Sequence, residues 1–182
     1  MKGTLIMKKT LMDPRFRPTK PKRGRTACVP THRRLEYAHG YILLGMLREA
    51  AEELRAIEGE DRCDPKVVDL LMDLYLNSRQ WTRLAVAARQ HTELWPGAEQ
   101  GWIMWALALR QVGRLPDAKA VLQRGAPLLD VPGAGLHYQL ACCNSLLGEP
   151  GEARRELELS LQIDSSMRHK ALNDADLKGL WS

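Results

Sequence analysis

The sequence is poor in aromatic side chains and has no long apolar run. Phe, Trp and Tyr together make up 5% of its 182 residues, and segments rich in Val, Ile, Thr and aromatics, which favour strands, are missing. The longest apolar run, residues 40–47, is far shorter than the roughly 18 residues that a membrane-spanning helix needs. No apolar stretch follows the N-terminal lysines, so we do not expect a secretory signal. These absences argue against a β-rich fold and against a membrane protein.

The four cysteines have neither disulfide nor zinc spacing. Cys28, His32 and His39 match no zinc motif. Cys142 and Cys143 are adjacent, and neighbouring residues on a helix point about 100° apart. We interpret them as small packing residues, one facing the core and one facing a groove. The expectation is a reduced, cytoplasmic protein without a metal or a cofactor.

Positive charge is concentrated at the N-terminal end. Residues 1–34 hold eleven Lys or Arg and one acid, Asp13, whereas the rest of the chain holds sixteen Lys or Arg and twenty-one acids. Four prolines lie among these basic residues, which argues against a helix. Low hydrophobicity with high charge predicts a disordered or extended arm over residues 1–30. The net charge of +5 therefore combines a basic arm with a mildly acidic body.

The basic residues at this end could contact nucleic acid. The densest cluster comprises Lys20, Lys22, Arg23, Arg25, Arg33 and Arg34. Such a cluster could bind phosphates or an acidic partner, or it could be a solvated tail. No aromatic side chain interleaves it, which weakens the case for single-strand binding.

From about Arg33 onward the sequence repeats itself with a period of 34 residues. Small or leucine residues recur at one phase: Ala50, Leu84, Ala118 and, one residue later than expected, Ala153. A second phase holds Gly45, Arg79, Gly113 and Gly148. Abundant Ala, Leu, Arg and Glu favour helices, so the pattern predicts an all-α fold. The predicted helix pairs occupy residues 31–64, 65–98, 99–132 and 134–167, followed by a C-terminal cap at 168–182.

These phases resemble the tetratricopeptide repeat. The third unit carries Trp102, Trp105, Ala106, Gly113, Ala118 and Leu122 at matching positions, whereas the second departs with Leu84 and His91 where the family has Ala. The fourth unit and tail, LHYQLACCNSLLGEPGEARRELELSLQID followed by ALNDADLKGLW, resemble the terminal variant found in bacterial proteins. The resemblance implies a right-handed α-α superhelix of about four helix pairs with a capping helix. It also implies that Leu172, Leu177, Leu180 and Trp181 cover the last repeat.

In this family the first helix of each pair lines a concave groove that binds proteins. The matching positions here are Leu35, His39, Asp69, Asp73, Ile103, Leu107, Arg110, Tyr138 and Cys142. The resulting face is apolar, with an acidic patch at the second unit. Such a groove suits a peptide with apolar anchors and a basic residue.

Catalysis has little support in the sequence. Asp69 and Asp73 share one helix face and could form an acid–base pair, but no nucleophile or further base converges on them. Trp102 and Trp105 could stack on nucleobases, yet their phases favour packing between helices. We therefore predict a non-catalytic protein-interaction module: an adaptor, a scaffold or a chaperone-like protein. The alternative hypothesis is a nucleic-acid- or ribosome-associated adaptor that uses the basic arm. The partner's identity and the oligomeric state stay open.

Overall fold

A computed structural model describes residues 29–181, which form nine α-helices and no strand. The helices are α1 (Thr31–Leu43), α2 (Leu47–Arg55), α3 (Pro65–Asn77), α4 (Trp81–Leu94), α5 (Glu99–Gln111), α6 (Leu115–Gly125), α7 (Ala134–Leu146), α8 (Pro150–Ile163) and α9 (Met167–Asn173). Short 3-10 helices lie at Gly59–Cys63, Ala126–Leu128 and Ala175–Leu180. Within the described range, no helix is both long and apolar enough to cross a membrane.

The first eight helices pack as four antiparallel pairs, α1 with α2 through α7 with α8. Each pair also packs on the next one, through contacts such as α4 with α5 and α5 with α7. The predicted all-α solenoid is therefore confirmed. We call the side formed by the first helices, α1, α3, α5 and α7, the inner face. The side formed by the second helices is the outer face.

The turn inside each pair needs one residue with a positive φ. A glycine supplies it in three pairs, with φ of 72° at Gly45, 79° at Gly113 and 78° at Gly148. The second pair uses Arg79, with φ of 53°. Non-glycine residues adopt this left-handed conformation at a cost of roughly 1–2 kcal/mol. The surrounding backbone hydrogen bonds are the same in all four turns, so the repeat geometry imposes this conformation on Arg79.

Small side chains lie where the two helices of a pair cross. The residues at these crossings are fully buried: Ala38, Ala50, Ala106, Ala118, Ala141 and Ala153. Glycine permits an even closer approach where α6 meets α5, because a Cβ on Gly125 would lie 2.5 Å from Cδ2 of Trp102. Larger side chains at such crossings would overpack the core, so the repeat pattern directly encodes the helix spacing.

The C-terminal residues close one end of the inner face. The segment 174–180, which we call the closing segment, packs mainly on α7 and buries Leu177 and Leu180. Leu172 and Trp181, which were also expected to cover the last repeat, are 56% and 51% exposed. Helix α9 is only seven residues long, and Ala171 rather than Leu172 takes its buried position.

Candidate functional site

The open part of the inner face carries an acidic patch formed by His39, Asp69 and Asp73. The two aspartates lie one turn apart on α3, and both are half-buried. Burial raises the pKa of Asp73 above its usual value, and the neighbouring Asp69 raises it further, while His39 opposes the shift. The patch therefore holds negative charge that the described part of the protein does not fully neutralise.

A buried histidine supports this patch from behind. Nε2 of His91, on α4, lies 3.3 Å from a carboxylate oxygen of Asp69, and His91 is only 4% exposed. Burial lowers the pKa of His91, and the charge of Asp69 and its hydrogen bond with the ring partly offset this shift. His91 lies against Gly101 of α5, where a Cβ would come within 2.5 Å of Nδ1. His91 was not among the site residues predicted from the sequence. The one sequence feature that pointed to this residue was a histidine at a position where the tetratricopeptide repeat usually has Ala.

Apolar side chains flank the patch. Ile103 and Leu107, on α5, are partly buried against neighbouring core residues. Leu35, on α1, packs in the same half-buried way against the core between α1 and α3. A Cβ on Gly135 would meet the Cδ1 of Ile103 at 2.7 Å, so this glycine lets Ile103 approach α7 closely. These five predicted groove residues, the patch aspartates included, leave part of their surface accessible.

The far end of the inner face is closed, and three of the predicted groove residues lie beneath the closing segment. Tyr138 and Cys142 are buried, and the Tyr138 hydroxyl donates a 2.6 Å hydrogen bond to Asp174 of the closing segment. Arg110 pairs with Asp176 of the same segment, and the arginine side chain is only 7% exposed. The chain's own carboxylates thus occupy the positions where these three residues would meet a ligand.

The closed end keeps its thiols protonated. Burial raises the pKa of Cys142 to about 12, although Arg110 opposes the shift, and it raises the pKa of Cys143 to about 11. The possible metal-ligand atoms of Cys142, Asp174 and Asp176 lie within 4.8 Å of one another. Arg110 and Tyr138 engage the two carboxylates, so the group is an internally paired cluster of polar side chains.

The predicted basic cluster falls largely outside the described residues. The structure does not describe four of its members, Lys20, Lys22, Arg23 and Arg25. The other two, Arg33 and Arg34, belong to α1. Arg34 pairs with Glu53 of α2 at 2.8 Å, and Arg33 lies 3.7 Å from Glu36 on its own helix. Arg34 therefore braces the first helix pair.

Neither a protein-family model nor a curated protein sequence matches this chain. Solved structures of MamA, a helical-repeat protein of the tetratricopeptide type, do match. The structure described as "MamA MSR-1 C2" is 17% identical, with a TM-score of 0.63 over 79% of this chain and 82% of that one. A second, "Crystal structure of MamA protein", is 15% identical, with a TM-score of 0.67 over 82% of this chain and 83% of that one. These similarities show a fold of the tetratricopeptide type.

Proposed function

We propose that this chain is a tetratricopeptide-family interaction module that binds a protein segment on the open part of its inner face, without catalysing a reaction. The observation that carries the proposal is the acidic patch beside a partly exposed apolar surface. Asp69 and Asp73 supply the charge, and Ile103 and Leu107 supply apolar contacts. Ligand sites commonly combine a mainly apolar lining with a few placed polar groups.

The electrostatics favour a basic side chain in the bound segment. Asp73 is half-buried, and burial and the charge of Asp69 both raise its pKa, so the folded protein opposes a second negative charge here more than water does. A lysine or arginine placed between the two carboxylates would relieve this repulsion, and charge-assisted hydrogen bonds are about twice as strong as neutral ones. His91 holds Asp69 from the buried side, which leaves the other carboxylate edge for the ligand.

The closing segment limits the length of the site. Because Arg110, Tyr138 and Cys142 are covered, a ligand would contact mainly the first three helix pairs. A short extended or helical segment with one base and one or two apolar anchors fits this surface.

A displayed random-peptide library tests the proposal. We expect the wild-type protein to enrich peptides that combine Lys or Arg with apolar residues, and the double variant Asp73→Lys, Leu107→Glu to lose them. Glu158→Lys is the matched control, because it makes the same charge reversal at an exposed position on α8 and should retain the wild-type peptides. Enrichment of the same peptides by the double variant would refute the assignment of the inner face.

The second proposed function is nucleic-acid binding through the basic arm. Its support is the eleven Lys or Arg among residues 1–34, of which Arg34 is already paired with Glu53. Each phosphate contact contributes about 0.9 to the slope of log affinity against log salt for duplex DNA. A salt titration with RNA and DNA, using the whole chain and a variant without residues 1–30, tests this function. Absence of RNA and DNA binding by the whole chain at low salt would refute this proposed function.

A further inference from the structure

A cleft of about 430 Å³ opens on the outer face, and none of its lining residues belongs to the proposed peptide site. Its volume is within the range of about 300–1,000 Å³ that is usual for small-ligand pockets. Helices α4 and α6 form its walls, and α5 forms its floor. The lining residues are Arg89, Thr92, Glu93, Trp102, Trp105 and Arg124. The cleft thus joins an aromatic floor to three charged side chains.

Two indole rings hold the guanidinium of Arg124. Its central carbon lies 5.4 Å from the ring centroid of Trp102 and 4.9 Å from that of Trp105. The two rings stack on each other, with centroids 6.3 Å apart. Trp102 is fixed in turn, since its indole N–H donates to the carbonyl of Pro96 at 2.8 Å. Cation–π contact at this range orients the arginine, so the guanidinium is positioned before any ligand arrives.

Within residues 29–181, the hydrogen-bonding groups of Arg124 stay available for a ligand. Its guanidinium contacts the rings of Trp102 and Trp105. No carboxylate or carbonyl of the described residues forms an ion pair or a hydrogen bond with Arg124. Arg89 is different, because its Nε lies 2.9 Å from Glu93. The neutralised Arg89–Glu93 pair leaves the cleft with one net positive charge. A planar guanidinium with five donors matches a carboxylate in a two-point hydrogen bond.

We propose that this cleft binds an acidic peptide segment of a partner protein, with one Asp or Glu carboxylate on Arg124 and an adjacent apolar side chain on Trp105. The single net positive charge suits one carboxylate. A nucleic-acid strand carries a negative phosphate at every nucleotide. The protein beyond residue 34 is itself net negative, with sixteen basic and twenty-one acidic residues. Phosphates outside the cleft would therefore meet a mildly acidic surface, which disfavours a nucleic-acid strand as the occupant.

Titration of the isotopically labelled full chain with two short peptides tests this site. The probes are acetyl-Leu-Glu-Gln-Leu-amide and acetyl-Leu-Gln-Gln-Leu-amide, which differ by one carboxylate. Binding is followed by the indole N–H signals of the protein in two-dimensional NMR. Trp105→Phe assigns the Trp105 signal. We expect the Glu peptide to shift that signal saturably and the Gln peptide to bind about two- to fivefold more weakly, because Arg124 is exposed and solvent screens an exposed ion pair.

Two variants separate recognition from a purely structural role of Arg124. Arg124→Gln should weaken binding of the Glu peptide about two- to fivefold. Arg155 is an exposed arginine paired with Glu152 on α8, and Arg155→Gln should leave the affinity unchanged. If Arg124→Gln does not fold, Arg124→Lys serves instead, and it should weaken binding because the two-point geometry is lost. Asp73→Lys with Leu107→Glu should leave this binding intact, so the two sites can fail independently.

Three outcomes of the peptide titrations would overturn the proposal. They are equal affinity for the Glu and Gln peptides, unchanged affinity in the folded Arg124 variant, and the absence of saturable shifts at millimolar peptide. A single-stranded oligonucleotide is the remaining comparator. If it shifts the Trp105 signal at lower concentration than the Glu peptide does, the occupant is nucleic acid and the acidic-peptide assignment is wrong.

Discussion

The ion pair between Arg110 and Asp176 should be among the strongest single contributions to stability in the described part of the chain. Replacing Asp176 by Ala leaves a guanidinium that is only 7% exposed without its carboxylate. Removing one partner of a buried ion pair typically costs about 3–5 kcal/mol. Since the Asp176 side chain is itself 28% exposed and Asp174 lies beside it, we expect about 2–3 kcal/mol, below that range.

Urea and thermal unfolding measure this loss. For a domain of this size, 1 kcal/mol shifts the melting temperature by about 2–4 °C, so Asp176→Ala should melt about 4–12 °C lower. The matched control is Glu52→Ala, which breaks the exposed Arg48–Glu52 pair on α2 and should change stability by at most about 1 kcal/mol. Adding Arg110→Met to Asp176→Ala should restore part of the loss, because no buried charge is then left unpaired.

Local release of the closing segment gives a second measurement. Cys142 is buried in one cluster with Leu177 and Leu180 of this segment. Asp176→Ala should therefore speed its reaction with a thiol reagent, as followed by peptide mass spectrometry. If Asp176→Ala and Glu52→Ala unfold at the same urea concentration, and if Cys142 stays unreactive in both, the reasoning about this ion pair is refuted.

Further predictions concern glycines, pH and thiols. Gly125→Ala should destabilise the protein by about 1–3 kcal/mol, since the added Cβ would lie 2.5 Å from the Trp102 ring. Gly40→Ala on α1, where the added Cβ meets open space, should stabilise the protein by up to about 1 kcal/mol. The urea midpoints of the two variants measure both effects. The pKa of His91 is lowered from 6.5, so the unfolded state takes up more protons below that pH, and stability should fall as pH decreases from about 6.5. His91→Gln should make the free energy of unfolding less dependent on pH. An unchanged pH dependence in this variant would contradict the role given to His91. In the native wild type at neutral pH, Cys63 should react with a thiol reagent. Cys143, whose pKa burial raises to about 11, should not react. Equal labelling of the two cysteines would contradict the burial of Cys143.

The periodic features of the fold could be predicted from sequence because they depend on local and neighbouring contacts. The phase shared by Gly45, Arg79 and Gly113 marks a turn that requires positive φ, and the structure has that conformation even at Arg79. The alanines at helix crossings are equally periodic, because each pair of helices meets its neighbour in the same way. All-α architecture therefore followed from the 34-residue period and the composition.

The closed end of the inner face could not be predicted in this way. Asp174 and Asp176 follow the last full repeat, so no phase assigns them a partner, and their contacts with Tyr138 and Arg110 join positions far apart in sequence. The repeat pattern places Arg110 on the inner face but does not indicate whether another part of the chain covers it. Likewise, the outer cleft depends on how Arg124 of one helix meets the Trp105 ring of another, which is a tertiary contact.

The pairing of Arg110 with Asp176 has a consequence for cooperativity. In a repeat array each unit normally contacts its neighbours alone, so the ends can fray one unit at a time. This contact spans 66 residues and links the third helix pair to the closing segment across the fourth. Helix α7 packs on both α5 and the closing segment, so it is enclosed between two partners that hold each other. Its amide hydrogens should therefore exchange together, in one opening event. The first pair, α1 and α2, has no such link among the described residues and should exchange earlier and separately.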